Sequence, residues 1–438
     1  LNRVIEKAIR GSAPAQINVP RDYWTQVIDI ELPPIVRLER QGGGSEAIDK
    51  AAKLLSGAKF PVILSGAGVV IGDAINETKK LAEKLDSPVC SGYQHNDSFP
   101  GSHPLAVGPL GYNGSKAAME LISKADVVLA LGTRLNPFST LPGYGIDYWP
   151  KDASIIQVDI NPDRIGLTKK VTVGISGDAK LVANQIFDKL STKAGDTDRQ
   201  KRKELIHQTK SAWLQKLSSL DHEDDDEGTV WNKEARERDK DRMSPRQAWR
   251  AIQAGMPEDV IISSDIGNNC AIGNAYPTFE KPRKYLAPGL FGPCGYGFPS
   301  ILGAKIGCPD TPVIGFAGDG AFGISMNEMS SCAREEWPAI TMVIFRNYQW
   351  GAEKRNTTLW FDNNFIGTEL DPELSYAKVA DACGLKGVTV RTMEETTNAI
   401  KQSCEDQKKG ITTFIEVILN QELGEPFRRD AMKKPVKV

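Results

Sequence analysis

Apolar and polar positions alternate between two regular patterns from residue 45 onward. Helix-like segments at residues 47–56 and 75–85 are interleaved with short apolar runs at 61–64, 127–131 and 155–158. Apolar runs of this length, separated by amphipathic helical segments, are typical of parallel strands joined by helices. The pattern therefore predicts an α/β domain with a doubly wound parallel sheet.

The same alternation returns nearer the C-terminus. A helix-like stretch at 179–190 is followed by dense mixed charge, and Ser244-Pro245 then provides the start signal for a new helix. Further candidate strands lie at 260–263, 313–316, 340–345 and 412–418. We therefore expect a second doubly wound domain that starts near Met243, connected to the first by a charged helix and linker.

The first residues are expected to be the tail of another domain. The pattern predicts a helix over 4–10 and a strand over 16–19, and Leu32-Pro33-Pro34 with Gly42-Gly43-Gly44 indicates an exposed connector. The chain begins with Leu1, so we expect that it is truncated at its N-terminus. The predicted divisions are 1–34, 35–195, 196–242 and 243–438.

Composition and charge exclude several classes of protein. Of 438 residues, 54 are Lys or Arg and 56 are Asp or Glu, which gives a net charge of −2 and no overall attraction to nucleic acid or anionic membranes. Seven cysteines are scattered without a paired motif, which argues against a disulfide framework or a zinc site. The sequence has neither a long apolar run nor a signal pattern. We therefore interpret the chain as a cytoplasmic protein that binds small molecules.

Candidate chemistry lies where two predicted strands end. The strand at 311–317 leads into Gly318-Asp319-Gly320, and the pattern that follows predicts one helix to about residue 335. The next strand, at 340–345, leads into Arg346-Asn347-Tyr348-Gln349. In an open parallel sheet both ends reach the carboxyl edge, where ligands bind. Glycines allow backbone N–H groups to approach phosphate, and carboxylate, amide and carbonyl oxygens suit Mg²⁺. The spacing favours a magnesium diphosphate site.

This segment resembles the fingerprint of thiamine diphosphate enzymes such as acetolactate synthases and pyruvate oxidases. The resemblance implies a thiamine diphosphate-binding fold, in which Mg²⁺ is held by Asp319, Asn347 and the backbone carbonyl of Gln349. Cys294 takes the place of the Met that bends the cofactor in relatives. The cofactor-binding residues implied are Asp265, Gly267, Asn268, Gly292, Cys294, Gly318, Asp319, Gly320, Ala321 and Asn347.

Longer runs, at 285–308 and 345–356, resemble the sulfoacetaldehyde acetyltransferases. That resemblance implies conversion of sulfoacetaldehyde and phosphate to acetyl phosphate and sulfite through a thiamine diphosphate adduct, in a homodimer or homotetramer. Arg346 and Arg355 are the expected contacts for phosphate or sulfonate, because guanidinium groups match tetrahedral oxyanions.

The resemblance also assigns the predicted divisions. Residues 1–34 would be the remnant of a pyrimidine-binding domain, 35–195 a central domain, and 243–438 the diphosphate-binding domain. The Glu that activates the cofactor in the family has no counterpart, so we expect the isolated chain to be inactive.

Two other functions stay open at this point. The chain could act on a 2-oxo acid, as an acetolactate synthase does, because the metal motif would be the same. It could also be an inactive fragment that only binds cofactor. The glycine-rich stretch at 65–72 lacks the spacing of a dinucleotide loop, so no flavin or nicotinamide is predicted.

Overall fold

A computed structural model describes most of the chain. The described residues are 1–11, 13–31, 39–191, 196–219, 237, 239–289, 291–334 and 336–421, without the side chains of 10, 196–198, 355, 358 and 359. Among these residues, no helix is both long enough and apolar enough to cross a membrane.

The N-terminal residues form one helix, α1 (Asn2–Gly11). Residues 16–19 were expected to form a strand, and this prediction is wrong, because they pair with no other described segment and therefore form no ladder.

The first sheet has six parallel strands, in the order β3-β2-β1-β4-β5-β6. Its chain order reverses between β1 and β4, which makes it the doubly wound sheet that the pattern predicted. The strands are β1 (Pro61–Ser65), β2 (Val89–Ser91), β3 (Ala106–Pro109), β4 (Val127–Leu131), β5 (Ser154–Asp159) and β6 (Val173–Ser176). The helices are α2 (Ser45–Gly57), α3 (Ala67–Ile71), α4 (Ile75–Leu85), α5 (Lys116–Ile122) and α6 (Ala179–Lys189).

The charged segment that follows contains a long helix, α7 (Asp196–Ser219). Arg202 on this helix is buried and donates to the backbone carbonyls of Asp86 (2.9 Å) and Leu85 (2.6 Å) at the end of α4. Cations stabilise the C-terminal end of a helix because its last carbonyls lack partners. The helix therefore packs on the first sheet's layer, while the acidic run at 221–227 lies outside the described residues.

The second sheet also has six strands, all paired in parallel, in the order β11-β12-β10-β9-β7-β8. Its strands are β7 (Ile261–Ser264), β8 (Tyr285–Leu286), β9 (Val313–Gly318), β10 (Thr341–Arg346), β11 (Lys386–Val390) and β12 (Thr413–Ile418). Its helices are α8 (Pro245–Gly255), α9 (Asn268–Ile272), α10 (Gly297–Gly307), α11 (Asp319–Ser325), α12 (Met329–Cys332), α13 (Gly351–Trp360), α14 (Tyr376–Ala382) and α15 (Met393–Gln407).

The helix after the Gly-Asp-Gly motif is shorter than predicted. The pattern predicted one helix to about residue 335, whereas the structure has α11, a 3-10 turn at Met326–Glu328 and then α12. Ser325 and Asn327 occupy the break. Serine and asparagine form helices less readily than alanine or leucine, which favours an interruption here.

The sheets of the two halves are joined through buried amide side chains. Asn274, in the second half, accepts from the backbone N–H of Gln94 (3.0 Å) and donates to the carbonyl of Tyr112 (3.1 Å). Asn96 donates in turn to the carbonyls of Asn274 and Pro277. These bonds place the first domain against the loop that follows α9.

Candidate active site

Three neighbouring strands of the second sheet end at one place. Ser264 at the end of β7 is paired with Phe316 of β9, and Gly318 at the end of β9 is paired with Phe345 of β10. Because the order reverses between β7 and β9, the residues that follow these strands lie at the topological switch point. The structure thus brings the predicted motif residues to a common edge.

Asp319 is the central carboxylate of this edge, and its side chain is fully buried. One oxygen, Oδ1, accepts from the N–H of Gly320 (2.9 Å), and Oδ2 accepts from the N–H of Tyr348 (2.6 Å) and from Nη1 of Arg346 (3.1 Å). Burial raises the pKa of Asp319 to about 6, although the Arg346 guanidinium acts in the opposite direction.

Arg346 has a different role from the one expected. Its side chain has no exposure to solvent; Nη1 donates to Asp319, and Nη2 donates to the carbonyls of Asp371 and Leu374. Its Nε lies 3.7 Å from a carboxylate oxygen of buried Glu416. The predicted contact with phosphate or sulfonate is therefore corrected, because this guanidinium is used inside the protein.

Tyr348 is held in an unusual backbone conformation within the same turn. Its φ is 63°, a left-handed value that is uncommon for a residue other than glycine. The guanidinium carbons of Arg346 and Arg242 lie 4.3 and 4.8 Å from its ring centroid. Nothing in the sequence pattern indicates this contact, which brings the end of the charged linker to the strand-end motif.

Asn347 is buried between these groups, and its backbone carbonyl accepts from the side chain of Gln421 (3.1 Å). The turn continues into an antiparallel bridge in which Trp350 donates to Thr368 and Leu370 donates to Tyr348. These bonds do not involve the backbone carbonyl of Gln349. Asp319, Asn347 and this carbonyl remain the proposed metal ligands.

The two glycines of the motif are needed for different reasons. A Cβ on Gly320 would lie 2.8 Å from the indole ring of Trp350, so only glycine fits there. Its N–H group donates to Asp319 and is therefore not directed to phosphate, as had been expected. A Cβ on Gly318 would meet no heavy atom within 4 Å, which leaves open space beside this glycine.

Asp265 fixes the glycine-rich loop upstream. Its carboxylate is fully buried and accepts from the N–H groups of Ile266 (2.8 Å), Gly295 (3.1 Å) and Gly297 (2.6 Å). Burial raises the pKa of Asp265, and these bonds oppose that rise. Its observed contacts shape the loop, while contact with the cofactor stays a prediction.

Around Asp265 the predicted glycines and Cys294 line an accessible surface. Gly267 has φ 118° with no heavy atom within 4 Å of a built Cβ, and Gly292 has φ 59° beside Ile266. Ala321 is buried on α11, and its carbonyl lies 3.8 Å from the built Cβ of Gly295. Cys294 is exposed, and partial desolvation raises the pKa of its thiol, with Asp265 and Glu353 acting in the same direction.

A pair of buried amides was only partly foreseen. The family resemblance implies a cofactor contact for Asn268, but for Gln349 it implies a role of the backbone carbonyl only. Both face Gly351: a Cβ built there would lie 3.2 Å from Nδ2 of Asn268 and 3.3 Å from Nε2 of Gln349. In the sequence, the only indication that the Gln349 side chain lies at the site is its position two residues after Asn347.

The residues present fit a diphosphate with Mg²⁺. No group of three or more His, Cys, Asp or Glu side chains that could hold a metal occurs in the described part of the chain. One carboxylate with amide and carbonyl oxygens suits Mg²⁺, which keeps waters and phosphate oxygens as its other ligands. Within the described ranges, the buried amide donors of Asn268 and Gln349 have no partners and the space beside Gly267 and Gly318 is open, which fits a phosphate group. The side chain of Arg355 lies outside the described residues.

Comparison with known proteins identifies the family. Family models described as "Thiamine pyrophosphate enzyme, central domain" and "C-terminal TPP binding domain" match residues 48–186 and 265–417. A probable sulfoacetaldehyde acetyltransferase of Rhizobium meliloti is 79% identical over the whole of this chain and 74% of its own length. The chain belongs to the sulfoacetaldehyde acetyltransferase family. Its cofactor is thiamine diphosphate, as predicted.

Other relatives separate this family from its neighbours. The sulfoacetaldehyde acetyltransferase of Roseovarius nubinhibens is 74% identical over the whole of this chain and 73% of its own length. A probable acetolactate synthase large subunit of Methanococcus aeolicus is 30% identical over 89% of this chain and 65% of its own length. The predicted family and the α/β fold class are thus confirmed, and acetolactate synthase is a distant relative.

Proposed function

We propose that the full-length protein catalyses the conversion of sulfoacetaldehyde and inorganic phosphate to acetyl phosphate and sulfite, with thiamine diphosphate and Mg²⁺. The carbon–sulfur bond breaks, and the aldehyde carbon loses its hydrogen as a proton while the neighbouring carbon takes up a proton and becomes a methyl group. An acyl–phosphate bond forms at the former aldehyde carbon, and the proton of hydrogen phosphate leaves with sulfite. Oxidation of one carbon is matched by reduction of the other, so the reaction needs no added oxidant or reductant. The observation that carries the proposal is the identity of 79% to a probable sulfoacetaldehyde acetyltransferase along the whole chain.

The residues of the carboxyl edge would position the cofactor. Asp319, Asn347 and the Gln349 carbonyl would hold Mg²⁺ against the diphosphate, and the loop fixed by Asp265 would face the rest of the cofactor. When bound, thiamine diphosphate supplies the electron sink for bond cleavage beside the aldehyde carbon. Arg346 contributes by holding Asp319, through its bond to Oδ2.

Two broader expectations belong to the same proposal. The active protein would be a homodimer or homotetramer in the cytoplasm, with no nucleic acid or membrane partner. The near balance of 54 basic and 56 acidic residues is consistent with small-molecule partners. Sedimentation velocity tests the assembly, because a species of monomer mass at catalytic concentrations would contradict it.

The decisive experiment measures products with the full-length protein supplied with thiamine diphosphate and Mg²⁺. Sulfoacetaldehyde and phosphate should yield sulfite and acetyl phosphate in equal amounts. Asp319→Ala should remove both Mg²⁺-dependent cofactor binding and product formation. If pyruvate were consumed and no sulfite were released, an acetolactate-type reaction would replace the proposal.

A further inference from the structure

The end of the charged linker, residues 239–243, lies directly against the turn that carries the proposed metal ligands. Met243 forms a parallel bridge with Leu419, and its carbonyl accepts from the N–H of Asn420 (2.9 Å). The N–H of Leu419 donates in turn to the carbonyl of Arg346 (3.0 Å), the last residue of β10. The linker end and the turn are therefore joined through one short backbone segment.

One side chain of the linker end reaches the turn itself. The guanidinium carbon of Arg242 lies 4.8 Å from the ring centroid of Tyr348, and that of Arg346 lies 4.3 Å from the same centroid. A cation at this distance is attracted by an aromatic ring. Nη1 of Arg242 also lies 2.8 Å from a carboxylate oxygen of Asp239, which is buried. Arg242 thus connects a buried carboxylate of the linker end to the ring of Tyr348.

Tyr348 needs support from outside the turn because of its backbone. Its φ of 63° is uncommon for a residue with a side chain, and such a conformation persists only where the surrounding structure fixes it. Its N–H donates to Oδ2 of Asp319 (2.6 Å), and it stands between Asn347 and Gln349 in the chain. A change in its backbone would therefore displace proposed metal ligands on both sides.

We infer that Arg242 is a positioning residue for the Mg²⁺ site: by packing on Tyr348, it holds the turn in the conformation that binds the metal. The inference rests on the proposed function, through its metal ligands, and deepens it, because it gives the linker between the two domains a part in metal binding. Asp239 pairs with the guanidinium, so little of its charge is left to repel a bound cation.

Arg242→Met tests this role, since it removes the cation and keeps an unbranched side chain. Titration calorimetry of the full-length protein with Mg²⁺, at saturating thiamine diphosphate, should show about three- to tenfold weaker affinity, as expected for a lost cation–ring contact. Arg242→Lys keeps the cation and should recover most of this loss. If repulsion between Arg242 and Mg²⁺ were the larger effect, Arg242→Met would bind Mg²⁺ more tightly, and the inference would be wrong.

A double-mutant cycle shows whether Arg242 acts through Tyr348. Tyr348→Leu removes the ring and should weaken Mg²⁺ binding by itself. Adding Arg242→Met to this variant should cause no further loss, because the contact between the two side chains is already absent. Losses that multiply would show that Arg242 acts by another route and would overturn the inference.

The metal-free protein provides a second readout, which needs neither cofactor nor turnover. The N–H of Tyr348 is held by Asp319, so its hydrogen–deuterium exchange reports on the conformation of the turn. Arg242→Met should make exchange faster in residues 346–350 than in the wild type. Unchanged exchange at this amide would contradict the positioning role, whatever the Mg²⁺ affinity.

Two further variants separate positioning from general stability. Lys240 lies two residues from Arg242 and its side chain is 59% exposed, so Lys240→Met should leave Mg²⁺ affinity unchanged. Arg202→Ala should destabilise the docking of α7 on α4 and also leave Mg²⁺ affinity unchanged. If Arg202→Ala weakened Mg²⁺ binding as much as Arg242→Met, the effect would be one of stability, and the inference would fail.

Failure of the proposed function would look different. If the wild-type protein released no sulfite but the differences in Mg²⁺ affinity and in exchange remained, the proposed reaction would be wrong while the role of Arg242 would stand.

Discussion

Asp319 is a buried carboxylate whose charge depends on its immediate neighbours. Arg346 and two backbone N–H groups favour its ionised form, and burial favours its protonated form more strongly. The Arg346 guanidinium in turn lies between Asp319 and Glu416. The charge state of Asp319 therefore depends on a row of three buried charged groups. Removing one of them leaves its neighbour buried without an opposite charge, which costs free energy.

The binding of Mg²⁺ should depend on pH through Asp319. Its pKa is raised to about 6, so below this pH a proton competes with the metal. We expect affinity for Mg²⁺ to fall by up to about tenfold per pH unit below pH 6, measured by calorimetry with thiamine diphosphate present. Affinity that stays constant between pH 7 and pH 5 would contradict this assignment.

The stability of the metal-free protein should change in the opposite direction. A folded-state pKa above the ordinary value of 3.8 means that the folded protein binds the proton more tightly than the unfolded chain. The Asp319 contribution should therefore stabilise the fold below about pH 4 and be lost as the pH rises to about 6. Urea unfolding of wild type and Asp319→Asn at each pH measures this difference, which should vanish at the acidic end.

Substitution of Arg346 should lower the free energy of unfolding, because its guanidinium is bound to groups inside the protein. Arg346→Met would leave Asp319 and Glu416 buried without their cation, so we expect a loss of about 3–5 kcal/mol in the free energy of unfolding. Arg346→Lys should lose less, because an ammonium retains the charge but not the fork of donors.

Arg334→Met serves as its control, since the Arg334 side chain is 62% exposed and pairs with Glu336 at the surface. Its effect should stay within about 0.5 kcal/mol. If Arg346→Lys kept normal stability and only raised the KM for phosphate, the prediction that Arg346 contacts the anion directly would be correct after all.

Single elements differ in how well the sequence predicts them. Strands β1, β4, β9 and β10 were predicted because both faces of each are buried and their apolar runs are continuous. The two-residue strand β8 and the partly exposed strand β11 were not, because such segments carry little hydrophobic pattern. The charged run predicted a helix and a linker, and α7 is that helix. The sequence does not explain why Arg202 is buried, whereas its hydrogen bonds to the carbonyls at the end of α4 do.

The docking of α7 should depend on Arg202. The side chain is 6% exposed and donates to the carbonyls of Leu85, Asp86 and Lys59. Arg202→Ala should destabilise this contact by about 2–3 kcal/mol, because charged hydrogen bonds to helix-end carbonyls are lost. Hydrogen–deuterium exchange should become faster in residues 196–219.

Lys201→Ala, at an exposed neighbouring position, is the comparison for this experiment. Equal exchange rates in the two variants would mean that Arg202 does not hold the helix.

At the scale of the whole molecule, the two halves contact one another through buried polar side chains. These are the amides of Asn96 and Asn274 and the carboxylate of Asp97, which accepts from the N–H groups of Lys284 and Tyr285. Asn274, which has no exposure, connects the loop after α9 to Gln94 and Tyr112 of the first domain. Helix α9, which leads into this loop, begins at Asn268, three residues after Asp265. The interface between the halves is therefore built on the segment that also lines the candidate site.

Asn274→Ala should weaken the contact between the two domains. Loss of its two side-chain hydrogen bonds leaves a backbone donor and a carbonyl buried without partners, which costs about 2–4 kcal/mol. Limited proteolysis should cut the chain faster between the halves, while Asn398→Ala, at an exposed position in α15, should leave the rate unchanged. Equal cleavage of both variants would show that the interface does not depend on this amide.

The sequence by itself determined the α/β class, the strand-end motif and the family, because buried strands and metal motifs use short, local patterns of residue type. It did not determine how side chains far apart in the chain meet. Arg346 looked like an anion contact until its distance to Asp319 and Glu416 was known, and Gln349 looked like a backbone ligand only. Whether a polar group is paired inside the protein or left for a ligand depends on burial and on neighbours from other strands, which only the tertiary structure decides.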